Sequence, residues 1–231
     1  MKAKGLILFF LGISTMVQSQ NYVREQDVLF RKHLVRAINL KDPQNIRLFG
    51  EKALLSAILL DAYEKGKIPA YRDRTCEEEV NREDIESRII SSDEDTVGFL
   101  YPHVLTEVEL GEDILFDKHR SEFAFDQKYI AVLIPESVNY RGIKEVLAYF
   151  KYSDCVKAFK QDERAFSLKF SGVKVPFNEL FLAHSYKSYI VKIGDGDYFD
   201  QLYADPVKAF IAGKHQENLL IEQLYKFFNP Q

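Results

Sequence analysis

Apolar residues recur at helical spacing between Gln26 and Leu40, through Val28, Leu29, Leu34, Val35 and Ile38, and this predicts a first helix. A second helix is punctuated at both ends: Asp42 suits the cap, Pro43 the first helical position and Gly66 the C-terminal stop. Between them Ile46, Phe49, Ala53, Ala57 and Leu60 make one apolar stripe, while Leu48, Leu55, Leu59 and Ala62 make another. A helix apolar on two faces is expected to pack between other elements. Ile68 to Tyr71 reads as a short extended exit from it, and Thr75 with Glu78 has the capping-box spacing that opens a third helix.

From Val97 the period changes. Val104, Thr106 and Val108 alternate with Leu105, Glu107 and Glu109, which predicts a strand followed by a turn at Gly111-Glu112-Asp113. Ile114 to Lys118 and Ser121 to Pro135 read as further strands, the latter holding the buried run Tyr129 to Ile134, and Val146 to Tyr152 as another. Ser153 or Asp154 caps a short helix carrying Val156 and Phe159. Phe166 to Val175 alternates weakly, Pro176 opens a helix through Leu180 and Leu182, and Tyr186 to Ile193 is the last strand. Asp205-Pro206 supplies cap and first position for one helix, and a final helix spans Gln216 to Phe228. The order gives an α+β class: N-terminal helices, then a mainly antiparallel sheet, with flanking C-terminal helices.

The first residues have a different character. Lys2 and Lys4 form a basic start, Leu6 to Val17 is mostly apolar, and Val17 and Ser19 stand at the −3 and −1 positions of a small-residue cleavage site. Residues 1–19 are therefore expected to be an export signal cut between Ser19 and Gln20, since the apolar run falls short of the roughly 20 residues that span a bilayer. Residues 20–231 are expected to form a single α+β domain. No Cys lies near the cut to take a lipid anchor.

Charge narrows the partners. The formal net charge is −4, and losing Lys2 and Lys4 makes the mature chain more acidic. That excludes nucleic acid as an expected partner, because phosphate recognition needs a basic face. The acidic run from Glu77 to Asp95 reads as a solvated face, with a docking surface for a basic partner as the sharper alternative. Cys76 and Cys155 leave two readings open, one disulfide or two independent thiols.

The chain is poor in recognisable chemistry. It carries no Gly-rich phosphate loop, nucleophile elbow or paired-His metal motif. The histidines at 33, 103, 119, 184 and 215 are scattered. Asp195, Asp197 and Asp200 crowd a Gly-containing turn, but the EF-hand order of Gly at position six and Glu at position twelve is absent, so a polar turn is the better account. Asp117, Lys118, His119 and Arg120 form a dense charged run whose ordinary role is a turn or a strand edge. Catalytic, cofactor-binding and metal-binding residues are all expected to be none.

At that charged run the sequence resembles a known family. Asp113 to Pro135, with Phe116, Asp117, Lys118, Arg120 and Ser121 ahead of the apolar strand Ile130 to Pro135, is similar to the gliding-motility N component, the GldN/PorN family of the type IX secretion system in Bacteroidota. Upstream, Ala62, Gly66, Ile68, Ala70 and Tyr71 resemble the family's helix end. Downstream, Phe177 to Lys192, with Ser188, Ile190 and Lys192, and then Asp205-Pro206, resemble later blocks. The blocks are collinear over most of the mature chain. Where members often carry Trp, this chain has Phe30-Arg31 and Leu115-Phe116, which fits either the main N component or a divergent paralogue.

The resemblance implies a non-enzymatic subunit in the periplasm, peripheral to the inner face of the outer membrane. Its implied partners are the outer-membrane lipoprotein of the secretion ring (the K component) and the periplasmic domain of the motor's M component, in a hetero-oligomeric ring. Such a subunit needs apolar or aromatic patches with polar rims. Tyr101, Tyr198, Phe199 and Tyr203 lie in expected loops beside acidic residues and are candidates for them. The alternative is a small periplasmic metal-binding protein or hydrolase of unknown substrate, using Asp117, His119 and the Asp195 to Asp200 turn.

Overall fold

The computed structural model describes residues 23–48, 53–89, 104–139, 141–168 and 173–228. The export signal, the Ser19–Gln20 junction, His103 and Tyr101 lie outside them.

The fold is α+β, built on a five-stranded antiparallel sheet in the order β4-β3-β2-β1-β7. Its strands are β1 (Val28–Asn39), β2 (Glu107–Asp117), β3 (Glu122–Ile134), β4 (Glu145–Lys151) and β7 (Tyr189–Ile193). A separate ribbon pairs β5 (Phe166–Leu168) with β6 (Lys174–Pro176). The helices are α1 (Leu55–Glu64), α2 (Arg82–Ile89), α3 (Tyr152–Gln161), α4 (Phe177–Leu182), α5 (Phe199–Leu202) and α6 (Pro206–Phe228).

The first predicted helix is instead β1, so a strand precedes the helices. β1 lies between β2 and β7, and Leu34 to Ile38 are buried on both faces. A strand covered on both sides reads as a continuous apolar run rather than a strict alternation, and such a run imitates a helical stripe. The turn expected at Gly111-Glu112-Asp113 is also overturned. These residues sit inside β2, and the reversal occurs at residues 118–121. Gly111 is there because the Tyr129 ring lies on it: a Cβ at this position would come within 2.2 Å of the ring.

Three boundaries move. The second helix is divided into a 3-10 turn at Pro43–Leu48 and α1. Asp42 does cap it, accepting the Gln44 N–H at 2.9 Å, and Gly66 does stop it at φ +66°. The third helix starts at Arg82, where Asn81 accepts the Asp84 N–H at 2.8 Å, while Thr75 bonds to Asp73 instead of opening a helix. The last two predicted helices are one, α6, and Asp205 caps it through the Val207 N–H at 2.9 Å.

One face of the sheet carries two apolar clusters. The larger joins Ile38, Val108, Leu110, Ile130 and Phe150 to buried residues of α1, α3 and α4. The smaller joins Leu34, Ile114 and Ile190 to Leu220 of α6. Both edges are covered. On the β4 side, Tyr71 exchanges backbone bonds with Tyr149 at 2.8 and 2.9 Å, and Arg88 donates to the Leu147 carbonyl at 3.1 Å. On the β7 side, α6 packs so closely that a Cβ on Gly213 would fall 2.2 Å from the Ile190 carbonyl oxygen.

Candidate functional site

The family-like blocks form three separate local structures rather than one site. In the first, Gly66 occupies the left-handed position that ends α1. Its N–H donates to the Tyr63 carbonyl and the Lys67 N–H to that of Ala62, at 2.8 and 2.9 Å. This pairing is a Schellman stop, which favours glycine because no Cβ is there to clash. The chain reversed by it buries Ile68 and Ala70 and delivers Tyr71 to the β4 edge.

The second block is the β2–β3 hairpin. Asp117 is buried, and its carboxylate accepts the backbone N–H groups of His119 and Arg120 at 2.8 and 3.1 Å. Arg120 also lies 3.7 Å from this carboxylate, and Ser121 takes the left-handed backbone at φ +54°. The Lys118 N–H donates to the Asp27 carbonyl at 2.9 Å, tying the turn to the start of β1. Phe116 packs against Phe123 with centroids 4.8 Å apart and the rings tilted by 53°. Asp117 is thus committed to holding a turn, the role an Asx side chain commonly has.

The third block lies on and before β7. Ser188 is half-buried, Ile190 belongs to the smaller apolar cluster, and the Lys192 ammonium sits 5.0 Å from the centroid of the Tyr198 ring. Of the aromatic interface candidates, Tyr203 is exposed, while Tyr198 and Phe199 are half-buried. The Asp195, Asp197 and Asp200 carboxylates are exposed around the turn from β7 into α5. Among the described residues no three His, Cys, Asp or Glu side chains are placed to share an ion. Both cysteines are free thiols. Cys155 is fully buried, and burial raises the half-buried Cys76 to about 11.

The structure also assembles a group of charges that sequence reasoning missed. Arg36 of β1 donates from Nε to Glu112 at 2.6 Å and from Nη1 to Glu217 of α6 at 3.1 Å. His184, just past α4, meets the other Glu112 oxygen at 3.0 Å through Nε2. A carboxylate only accepts, so Nε2 carries the proton. His184 holds the left-handed backbone at φ +45° and ends α4 as Gly66 ends α1, with its N–H on Phe181 and that of Ser185 on Leu180. Its ring packs on Phe125 at 4.1 Å. Burial opposes a charge on Glu112, but the bonds from His184 and Arg36 outweigh it and hold the carboxylate below its ordinary range.

These charges form a seam between the two apolar clusters, and a cleft of about 650 Å³ opens beside it, lined by Arg36, Arg47, Phe125, His184, Tyr186 and Glu217 among others. Both Glu112 oxygens are occupied. The arrangement fastens β1, β2, α4 and α6 together rather than activating a nucleophile. Nothing in local sequence marked it, since Arg36 and Glu112 are 76 residues apart.

Comparison with known proteins agrees with the order of the blocks. The family model described as "Gliding motility associated protein GldN" matches residues 23–226. A search of curated proteins finds no match. The match runs from before β1 into the last turns of α6 and so takes in the hairpin, the stop at Gly66, the seam and β7 together. The chain belongs to the GldN family of gliding motility associated proteins.

Proposed function

We propose that this chain is a non-enzymatic structural subunit of the type IX secretion and gliding-motility machinery, working in the periplasm against the inner face of the outer membrane. The observation that carries the reading is the family match over residues 23–226. Residues 1–19 are removed on export, and residues 20–231 act as one domain. In this reading the protein assembles with the outer-membrane lipoprotein of the ring, the K component, and with the periplasmic domain of the motor's M component. The family-like residues serve the fold that presents the contact surfaces: Gly66 and Asp117 set chain reversals, and Tyr71 and Ile190 secure the sheet edges.

No helix among the described residues is long and apolar enough to cross a membrane. The collinear blocks resembling the N component, together with the family match, support the K component as the primary contact. Affinity purification of the tagged mature chain from membranes should recover that lipoprotein. Recovery of a folded chain with neither the lipoprotein nor the motor component overturns the proposal. Mass measurement of the exported protein should place its first residue at Gln20.

A further inference from the structure

We infer that a cavity on the Glu109 side of the sheet is a docking site for the side chain of a lysine on a partner protein. The sheet register builds its floor. One row runs Tyr189, Ala37, Glu109, Ala131, Tyr149 across β7, β1, β2, β3 and β4. The alanines on either side of Glu109 add only a methyl group each, so its neighbours in the row send no long side chain over the carboxylate. A cavity of about 280 Å³ has Ala37 and Glu109 on its buried floor and Tyr189 and Phe210 in its wall, their rings meeting edge to face at 5.4 Å. Asn39, Lys144, Lys187 and Phe210 form an exposed rim. Small-molecule pockets run to roughly 300–1,000 Å³, so this one suits a single side chain.

Charge selects the occupant. Among the described residues, the charged lining is Asp42, Glu107, Glu109, Lys144 and Lys187. Lys187 holds Asp42 and Lys144 holds Glu107, each at 2.9 Å. Glu109 is the carboxylate left over. It is 5% exposed, and its hydrogen-bond partner among the described residues is the Tyr198 hydroxyl, on one oxygen. The other groups that face it are Asp200 and the phenols of Tyr129, Tyr149 and Tyr189, and none of these brings a positive charge. A buried carboxylate is stabilised as an ion by a cation that reaches it. Lysine fits better than arginine. With one Glu109 oxygen already taken, the carboxylate cannot form the paired bonds of a guanidinium fork, whereas an ammonium is a point charge that needs a single oxygen. The four-carbon stem lies along the Tyr189 and Phe210 rings while its charged head goes to Glu109.

Titration of the mature chain with n-butylammonium chloride, which reproduces the lysine side chain, tests this. Nuclear magnetic resonance reads it through the ring protons of Tyr189 and Phe210 and the carboxyl carbon of Glu109. The expected result is saturable binding at pH 8 that Glu109→Gln abolishes. Binding should be about tenfold weaker at pH 6, where Glu109, titrating at about 7, holds its proton in roughly nine molecules of ten. Phe210→Ala, at the exposed rim, should weaken binding at least about threefold, the scale of one lost methylene contact, while Glu109 still titrates. An equal response to sodium chloride assigns the cavity to a small inorganic cation, and tighter binding of n-propylguanidinium assigns it to arginine. Either result, a response that survives Glu109→Gln, or no saturable binding overturns the inference. The measurement uses this chain alone, so its outcome is independent of whether the secretion lipoprotein binds.

Discussion

Glu109 and Glu112 stand three residues apart on β2, are both buried, and face opposite sides of the sheet. Their surroundings differ in kind. Glu112 meets Arg36 and His184 and stays ionised, below its usual range. Glu109 meets the Tyr198 hydroxyl at 3.0 Å, with no cation in hydrogen-bonding contact among the described residues, and burial raises it to about 7. The same residue type on the same strand is an ion-pair hub on one face and a proton-holding group on the other. Burial alone therefore does not fix the state of a carboxylate; what matters is whether a donor with a full charge reaches it.

The largest effect should come from the hub. Glu112→Ala leaves Arg36 buried beside an empty acceptor site, and breaking a buried pair from one side costs about 3–5 kcal/mol. The urea midpoint of the variant measures this, and an unchanged midpoint would break the comparison. Replacing both partners, Arg36→Met with Glu112→Met, should recover a large part of the loss, because the buried guanidinium goes with its carboxylate and Glu217 keeps Lys214.

On the opposite face the signature is pH. The folded value of Glu109 lies above its unfolded value, so its stabilising contribution is fully present below about 4.5 and is lost as pH rises through about 7. The span corresponds to roughly 3 kcal/mol. Glu112 acts with the opposite sign: its lowered value stabilises the fold above the unfolded range and is lost as pH falls below it. Glu109→Gln should remove the decline between pH 5 and 8 and make the protein more stable than the parent at pH 8. Retention of the full decline in the variant would assign the slope to another group.

Two smaller substitutions sharpen the contrast. Gly111→Ala forces the Tyr129 ring aside on the Glu109 face and should cost about 1–3 kcal/mol. Asp117→Ala frees the His119 and Arg120 N–H groups at the hairpin tip and should cost about 1–2 kcal/mol without altering the Glu109 pH profile. Thermal melts at pH 6 and pH 8 separate the two, since only Gly111→Ala acts beside Glu109.

Local signals were legible where they are chemically local. Asp42, Gly66 and Asp205 mark chain reversals and helix starts because capping uses a side chain within a few residues of the group it satisfies. The buried runs of β3, β4 and β7 read correctly for the same reason. β1 did not, because its two-sided burial depends on β2 and β7 lying beside it. Gly111-Glu112-Asp113 has turn-like composition, yet each residue is explained by a distant partner: Tyr129 for the glycine, Arg36 and His184 for Glu112, His33 for Asp113.

By itself, then, the sequence determined the α+β class, most strand and helix positions, the family blocks and the expectation of export. These depend on periodicity, caps and composition, which act over short stretches of chain. Tertiary structure alone decided that the first element is a strand, that Glu112 is held below its ordinary range while Glu109 is raised to about 7, and that Val207, Ile211 and Ile221 of α6 stay exposed. Each depends on which groups the sheet brings together across long separations, and burial and field at a point in space cannot be read from neighbours in sequence.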